Sequence, residues 1–291
     1  MSFSLTGKVA IVTGGNQGLG LEIARNFVQL GASVVLCARD KGLLEEARET
    51  LFGISKEGQC IVAITADVSK SDDVSMLAET TLSRLGRIDI LVNSAGIYGP
   101  MDVIEVVNWS QWVKAIEINL FGSVLMCRGV LPAMKAQRKG KIIQLSGGGA
   151  TNSMPRFSAY AVSKTAVVRF AETLAEEVQE YGIDVNAIAP GALNTRLLDE
   201  VLAAGPDKVG GSFFDKSLKQ KESGGVSLNI GAELAAFLAS DESDGITGKL
   251  ISAVWDDWAH WPEHVEELRS SDVYTLRRIV GRERGFEWGD K

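Results

Sequence analysis

Two side chains of this sequence form a pair with acid–base potential. Tyr160 and Lys164 are spaced i, i+4, so on a helix they share one face. A free tyrosine has a pKa of about 10, too high for proton exchange at neutral pH. A lysine ammonium beside it favours the phenolate and lowers that value. A tyrosine tuned this way gives a proton to a carbonyl oxygen or takes one from an alcohol. The same pair on a solvated helix carries no chemistry, so its meaning depends on its surroundings.

A second cluster lies near the amino terminus. The β-rich run 8–13 leads into Gly14, Gly15, Asn16, Gln17, Gly18, Leu19 and Gly20, then into a helical pattern. A strand, a glycine turn and a helix in this order build a dinucleotide pyrophosphate site. Glycine lets the backbone approach the phosphates, and the helix start offers unpaired N–H groups. A purely structural turn is the plain alternative, but the position in the first βα turn favours the cofactor. A nicotinamide there would exchange a hydride while Tyr160 exchanges the proton.

Further motifs recur in order. Thr13, Gly14, Gly18 and Gly20 read TGxxxGxG, and Gln17 fits that spacing better than TGxxGxxG, which disfavours an epimerase or dehydratase. Asp67-Val68 follows the third β-rich run. Asn93-Ser94-Ala95-Gly96 follows the fourth. Asn119 lies within a helical stretch, and Pro190-Gly191 precedes Thr195. With Tyr160 and Lys164 as YxxxK, residues 5–254 resemble the core, non-extended branch of the short-chain dehydrogenase/reductase family. The resemblance implies an NAD(P)(H)-dependent enzyme interconverting a carbonyl and an alcohol. It assigns catalysis to Asn119, a serine, Tyr160 and Lys164, and no metal. It assigns cofactor contacts to residues 14, 16–20, 93, 95, 96, 190, 191 and 195, and to Asp67, Val68, Tyr160 and Lys164. Singly, Asp67 reads as a helix cap, Asn93 as a turn residue and Asn119 as a solvated polar group.

The serine is the weakest match. The family's serine falls at Gly147, and Ser146 precedes it. Gly147-Gly148-Gly149 lets the backbone turn so that Ser146 reaches the same point. Ser153, a backbone N–H or a water are the alternatives. At the second strand end, Ala38 stands where NAD enzymes usually place an acid, and Arg39 follows. Arg39 can pair with a 2′-phosphate, so NADP(H) is expected over NAD(H). The alternative leaves Arg39 solvated and Asp40 as a helix cap.

The elements that must hold these residues alternate. Strand candidates are 8–13, 33–38, 59–65, 88–93, 141–146, 183–188 and 250–254. Helical patterns fall near 18–30, 41–52, 71–85, 108–131 and 158–181. The first six strands lack a polar face, as strands buried on both sides do. The expected fold is α/β: one doubly wound (Rossmann) domain over 1–254, a parallel sheet of about seven strands with helices on both faces. Residues 192–229 are rich in glycine and read as a substrate lid. Lys208, Lys216, Lys219 and Lys221 in it suit an anionic substrate, or simply a solvated face. The tail 255–291 holds four of six tryptophans and is expected to pack on the domain or on a neighbouring subunit.

Composition agrees with a globular enzyme: 291 residues, 45% hydrophobic and 23% charged. The net charge of -7 speaks against nucleic acid as a partner. Cys37, Cys60 and Cys127 form no CxxC and read as buried thiols in a reducing compartment, with cytoplasmic location expected. The amino terminus lacks a signal-peptide pattern, and no uninterrupted apolar run approaches about 18 residues, so no membrane partner is expected. The expected partners are a small-molecule substrate and further copies, as a homodimer or homotetramer through helices 108–131 and 158–181. The rival reading is a silent dinucleotide-binding sensor or scaffold of the same fold.

Overall fold

The computed structural model describes residues 3–288. Seven strands make one all-parallel sheet, in the order β3-β2-β1-β4-β5-β6-β7. They are β1 (Val9–Thr13), β2 (Ser33–Ala38), β3 (Ile61–Thr65), β4 (Ile90–Asn93), β5 (Gly140–Leu145), β6 (Ile183–Ala189) and β7 (Leu250–Ser252). Successive strand residues feed opposite cores. Ala10, Val12, Val34 and Leu36 face one side, and Ile11, Val35 and Cys37 the other.

On the first face lie α1 (Gly18–Gln29), α2 (Lys41–Phe52) and α10 (Leu228–Ala239). On the second lie α3 (Ser71–Leu85), α5 (Gly122–Gln137) and α6 (Ser158–Val178). The expected helix 108–131 is longer and interrupted: α4 (Trp109–Ile116), a π turn (Glu117–Phe121), then α5. The stretch 109–137 is long and apolar enough to cross a bilayer by length and composition. Lys114, Glu117, Arg128 and Lys135 interrupt it, so it is not an unbroken apolar run. In the fold, Met126, Cys127, Val130 and Met134 of this stretch are buried in the second core.

The strand order reverses between β1 and β4, so their carboxyl ends open a crevice. In doubly wound sheets ligands bind at that switch point. Three short helices, α7 (Arg196–Ala204), α8 (Pro206–Val209) and α9 (Gly211–Ser223), fill the region expected to be a lid.

The tail runs back over the domain. Trp261 is 5% exposed and its ring meets Tyr274 at 4.5 Å. Trp258 meets Phe237 of α10 at 5.3 Å, and Leu268 of α11 (Val265–Ser270) joins the first core. Trp255 and Trp288 remain exposed. At the edge strand β7, Leu250 N–H donates to the Tyr274 carbonyl (2.8 Å) and Ser252 N–H to the Asp256 carboxylate (2.7 Å). The Lys249 ammonium adds bonds to the Ser271 and Val273 carbonyls, each 3.0 Å.

Cys37 and Cys127 are buried free thiols, pushed up to about 12 by burial. Cys60 is exposed, against the expectation for all three, because it precedes the point where β3 enters the sheet.

Candidate active site

One cleft of about 1220 Å³ lies over the carboxyl ends of the strands. A pocket for one drug-sized ligand holds roughly 300–1,000 Å³, so this cleft has room for a dinucleotide and a substrate.

Its floor at one end is the glycine turn. Gly14 has φ +63°, and a Cβ there would lie 2.9 Å from the Ala95 Cα. A Cβ on Gly20 would lie 2.4 Å from the Gly14 carbonyl oxygen. Only glycine lets the turn and the loop after β4 close this tightly. The Thr13 hydroxyl ties the two together, accepting from the Ser94 and Ala95 amides at 3.1 Å each. The first turn of α1 holds no acidic residue and Gln17 offers no side-chain cap, which leaves its N–H groups for an anion. Asn16, Gln17, Gly18 and Leu19 line the cleft beside them.

Arg39 follows β2, is exposed, lines the cleft and makes no ion pair among the described residues. Ala38 precedes it, and Asp40 is the α2 cap, accepting from the Leu43 amide at 3.0 Å. Asp67 and Val68 line the cleft after β3. Burial raises the Asp67 carboxyl, but hydrogen bonds from the Ser69 hydroxyl and amide, with Lys114 and Arg39 nearby, hold it below its ordinary value. Ala95, Gly96, Pro190, Gly191 and Thr195 complete this half.

Two expected site residues do not reach the cleft surface. Asn93 is buried, and its amide donates to the Ser123 carbonyl (3.3 Å) and the Cys127 Sγ (3.7 Å). It braces β4 against α5, which corrects its expected cofactor contact. Asn119 sits within the π turn, whose extra residue re-aims its side chain. Its Oδ1 accepts from the Ile97 amide (2.9 Å), and its Nδ2 donates to the Ile97 carbonyl (2.8 Å) and the Ser163 hydroxyl (2.9 Å). These three bonds fix the loop after β4 to α6, one turn from Tyr160.

Tyr160 and Lys164 lie on the buried stripe of α6, with Val167, Val168 and Ala171 farther along it. Both reach the cleft. The Lys164 Nζ donates to the Leu145 carbonyl at 2.6 Å and lies 5.8 Å from the Tyr160 ring centroid. Burial lowers Lys164 to about 8 and pushes Tyr160 well above the ordinary phenol value, with Tyr98 adding to the latter. The expected lowering of the tyrosine by its lysine is therefore corrected. Loss of water outweighs an ammonium turned toward a strand-end carbonyl. Tyr160 is the neutral phenol at pH 7, the form that donates a proton.

Ser146 lines the cleft, yet its Oγ is buried and without a partner among the described residues. Gly147 is the residue facing the phenol: a Cβ there would sit 2.2 Å from the Tyr160 hydroxyl. The Ser146 hydroxyl does not present itself to the cleft in this geometry, which corrects the expectation that the glycines swing it there.

The short chain dehydrogenase family model matches residues 8–204. The chain belongs to that family. Among the relatives of this short-chain dehydrogenase, 3beta-hydroxysteroid dehydrogenase 1 of Eggerthella lenta is 36% identical over 250 residues, 85% of this chain and 92% of that protein. The structure of an NAD+-bound xylitol dehydrogenase has a TM-score of 0.78 at 26% identity, covering 85% of this chain and 97% of that one. A gluconate 5-dehydrogenase from Burkholderia cenocepacia, in complex with NADP and tartrate, has a TM-score of 0.76 at 28% identity, covering 86% and 95%. This short-chain dehydrogenase is thus an oxidoreductase of small alcohols and carbonyls that uses a nicotinamide dinucleotide.

Sequence reasoning missed the far half of the cleft. Tyr98, Met154 and Phe213 line it, and Tyr98 meets Tyr160 at 4.6 Å between centroids. The available signal was Tyr98, an aromatic residue two positions after Asn93-Ser94-Ala95-Gly96.

Proposed function

We propose that the chain interconverts a ketone or aldehyde with its alcohol, with Tyr160 exchanging the proton and NADP(H) preferred over NAD(H). The observation that carries this reading is one continuous cleft with the glycine turn at one end and the Tyr160 and Lys164 side chains at the other.

A bound dinucleotide supplies or accepts the hydride. The turn amides and the α1 amino terminus hold its pyrophosphate. Arg39 pairs with a 2′-phosphate, for which Ala38 leaves room. Lys164, now on the Leu145 carbonyl, is the donor for ribose hydroxyls. The Tyr160 phenol gives its proton to the substrate oxygen in reduction and takes it back in oxidation. Asn119 serves by position, through Ile97 and Ser163. The sensor reading is disfavoured by the intact pair, since binding alone has no use for the proton that the Tyr160 phenol holds at the substrate end of the cleft.

The test is NADPH consumption over a panel of ketones and aldehydes, with Tyr160→Phe alongside. The variant should bind NADPH within about threefold of the parent and turn over at least 10²-fold more slowly. Equal turnover would overturn the scheme.

The oligomer is proposed to form through α4, α5 and α6, where the exposed Trp109, Phe121 and Val162 would otherwise meet water. Sedimentation at micromolar concentration reads it directly, and a monomer would refute it.

A further inference from the structure

The cleft beyond Tyr160 has an apolar wall. Tyr98 meets Tyr160 at 4.6 Å and Phe157 at 5.3 Å, and Phe157 meets Phe213 at 4.9 Å between ring centroids. Met154 and Val201 join the same cluster. Phe213 is carried by α9 and Val201 by α7, so the lid and the helix bearing Tyr160 share one surface. Phe157 is fully buried behind it, while Tyr98, Met154 and Phe213 reach the cleft.

Several polar groups that line this half are engaged within the chain, and Thr151 and Asn152, both exposed, are bonded to each other at 3.2 Å. The Ser217 hydroxyl donates to the Phe213 carbonyl at 2.9 Å. The Gln220 amide donates to the Leu193 carbonyl (3.1 Å) and the Asn194 Oδ1 (3.3 Å). Arg196 pairs with Glu200 at 3.2 Å. Lys221 lies off the cleft and pairs with Asp199 at 2.7 Å. Lys208, Lys216 and Lys219 are exposed and do not line the cleft, so the lid lysines build no anion site. Two phenol hydroxyls, those of Tyr98 and Tyr160, remain without a hydrogen-bond partner among the described residues and belong to rings in direct contact.

We propose that the substrate is an uncharged ketone with an apolar ring skeleton, or the matching secondary alcohol, laid against Tyr98, Met154 and Phe213 with one oxygen at Tyr160. The inference rests on the carbonyl-reductase reading above. In reduction the carbonyl carbon gains a hydride from the reduced dinucleotide. Its oxygen gains the Tyr160 proton, which solvent restores, leaving the alcohol and the oxidised dinucleotide. The rings of Tyr98 and Phe213 and the Met154 thioether form the wall, and the two unpartnered phenol hydroxyls meet at one point of it, which matches a molecule with one oxygen and a hydrocarbon body. A polyol or hydroxy acid would place hydroxyls or a carboxylate against these rings and this thioether, which cannot pair with them. Each such unpaired hydroxyl costs about tenfold in kcat/KM.

The experiment compares kcat/KM with reduced dinucleotide for 2-tetralone and 1-decalone against dihydroxyacetone, fructose and 5-ketogluconate. The ring ketones should lead by at least about 100-fold. Phe213→Ala and the milder Phe213→Leu should raise KM for 2-tetralone, about tenfold for the former, while kcat falls less than threefold. Equal or better turnover of the hydroxylated compounds overturns this proposal and leaves the carbonyl-reductase reading standing. An unchanged KM in Phe213→Ala likewise overturns it. Bound NADPH with no turnover of any compound overturns the carbonyl-reductase reading itself, and this proposal with it.

Discussion

Gly147 lies so close beneath the Tyr160 hydroxyl that a Cβ on it would be 2.2 Å away. The phenol occupies the space that a side chain at this position would need. An alanine there must push the tyrosine by about 1 Å, and displacements of that size cost on the order of 10²-fold in rate. Gly147→Ala is therefore expected to lose about 100-fold in kcat while NADPH affinity stays within threefold. Activity near that of the parent would show that Tyr160 is not held where the structure has it.

Without a serine at 147, the Tyr98 hydroxyl is the second donor expected at the substrate oxygen. Tyr98→Phe should then lose about 1–3 kcal/mol of transition-state stabilisation, more than Ser146→Ala, whose hydroxyl is closed off. Paired kcat/KM measurements decide, and a larger loss in the serine variant would return the role to Ser146.

Arg39 stands free at the end of β2, so its removal should act on one cofactor more than the other. A charge-assisted hydrogen bond contributes about 1.5–3 kcal/mol, or roughly 10- to 100-fold in affinity. Arg39→Ala should weaken NADP(H) by at least tenfold and NAD(H) by less than threefold. Equal losses on titration with both would remove the 2′-phosphate contact.

Lys164 is depressed to about 8 from 10.5 because its ammonium is buried. Between those two values the unfolded chain binds a proton that the folded chain does not, so stability rises with pH across that window. Below about 8 the folded chain carries the buried charge. Allowing for its bond to Leu145, Lys164→Met should gain about 1–2 kcal/mol at pH 7 and little by pH 10.5. Urea unfolding at the two pH values tests this, and a pH-independent difference would sink it. The same variant should be inactive.

Trp261 is the anchor of the tail. Trp261→Ala should cost about 3–5 kcal/mol, as large aromatic truncations in cores do, whereas Trp255→Ala should change stability by less than about 0.5 kcal/mol. Thermal or denaturant melts separate the two, and similar losses would mean that the tail packs otherwise.

Much of this architecture was legible because its signals are local. The buried strands show as unbroken Val, Ile and Leu runs, although β3 and β4 each begin two residues later than their patterns suggest. Helix α10 escaped because LNIGAELAAFLA is apolar on nearly every face, which erases the period that marks a helix. Most of the glycine turn, with Asp67, Tyr160, Lys164 and Pro190, reached the cleft as their motifs implied. Asn93 and Asn119 did not. Whether an amide faces a ligand or a neighbouring backbone is settled by a π turn and by α5, neither of which spacing reveals. The behaviour of the Tyr160 phenol was also hidden, since proximity in sequence says nothing of water lost on burial.

The covered rim of β7 has a consequence for assembly. An open strand edge is a template on which another chain can add a strand, the first step toward domain swapping or fibrillar aggregation. Here the outward amides of Leu250 and Ser252 are taken by Tyr274 and Asp256, so the sheet cannot be extended across that rim by a second molecule. The tail thus acts as a guard. Proteolytic loss of residues beyond 254 would bare two donors on an apolar strand and turn a self-contained enzyme into one prone to strand exchange.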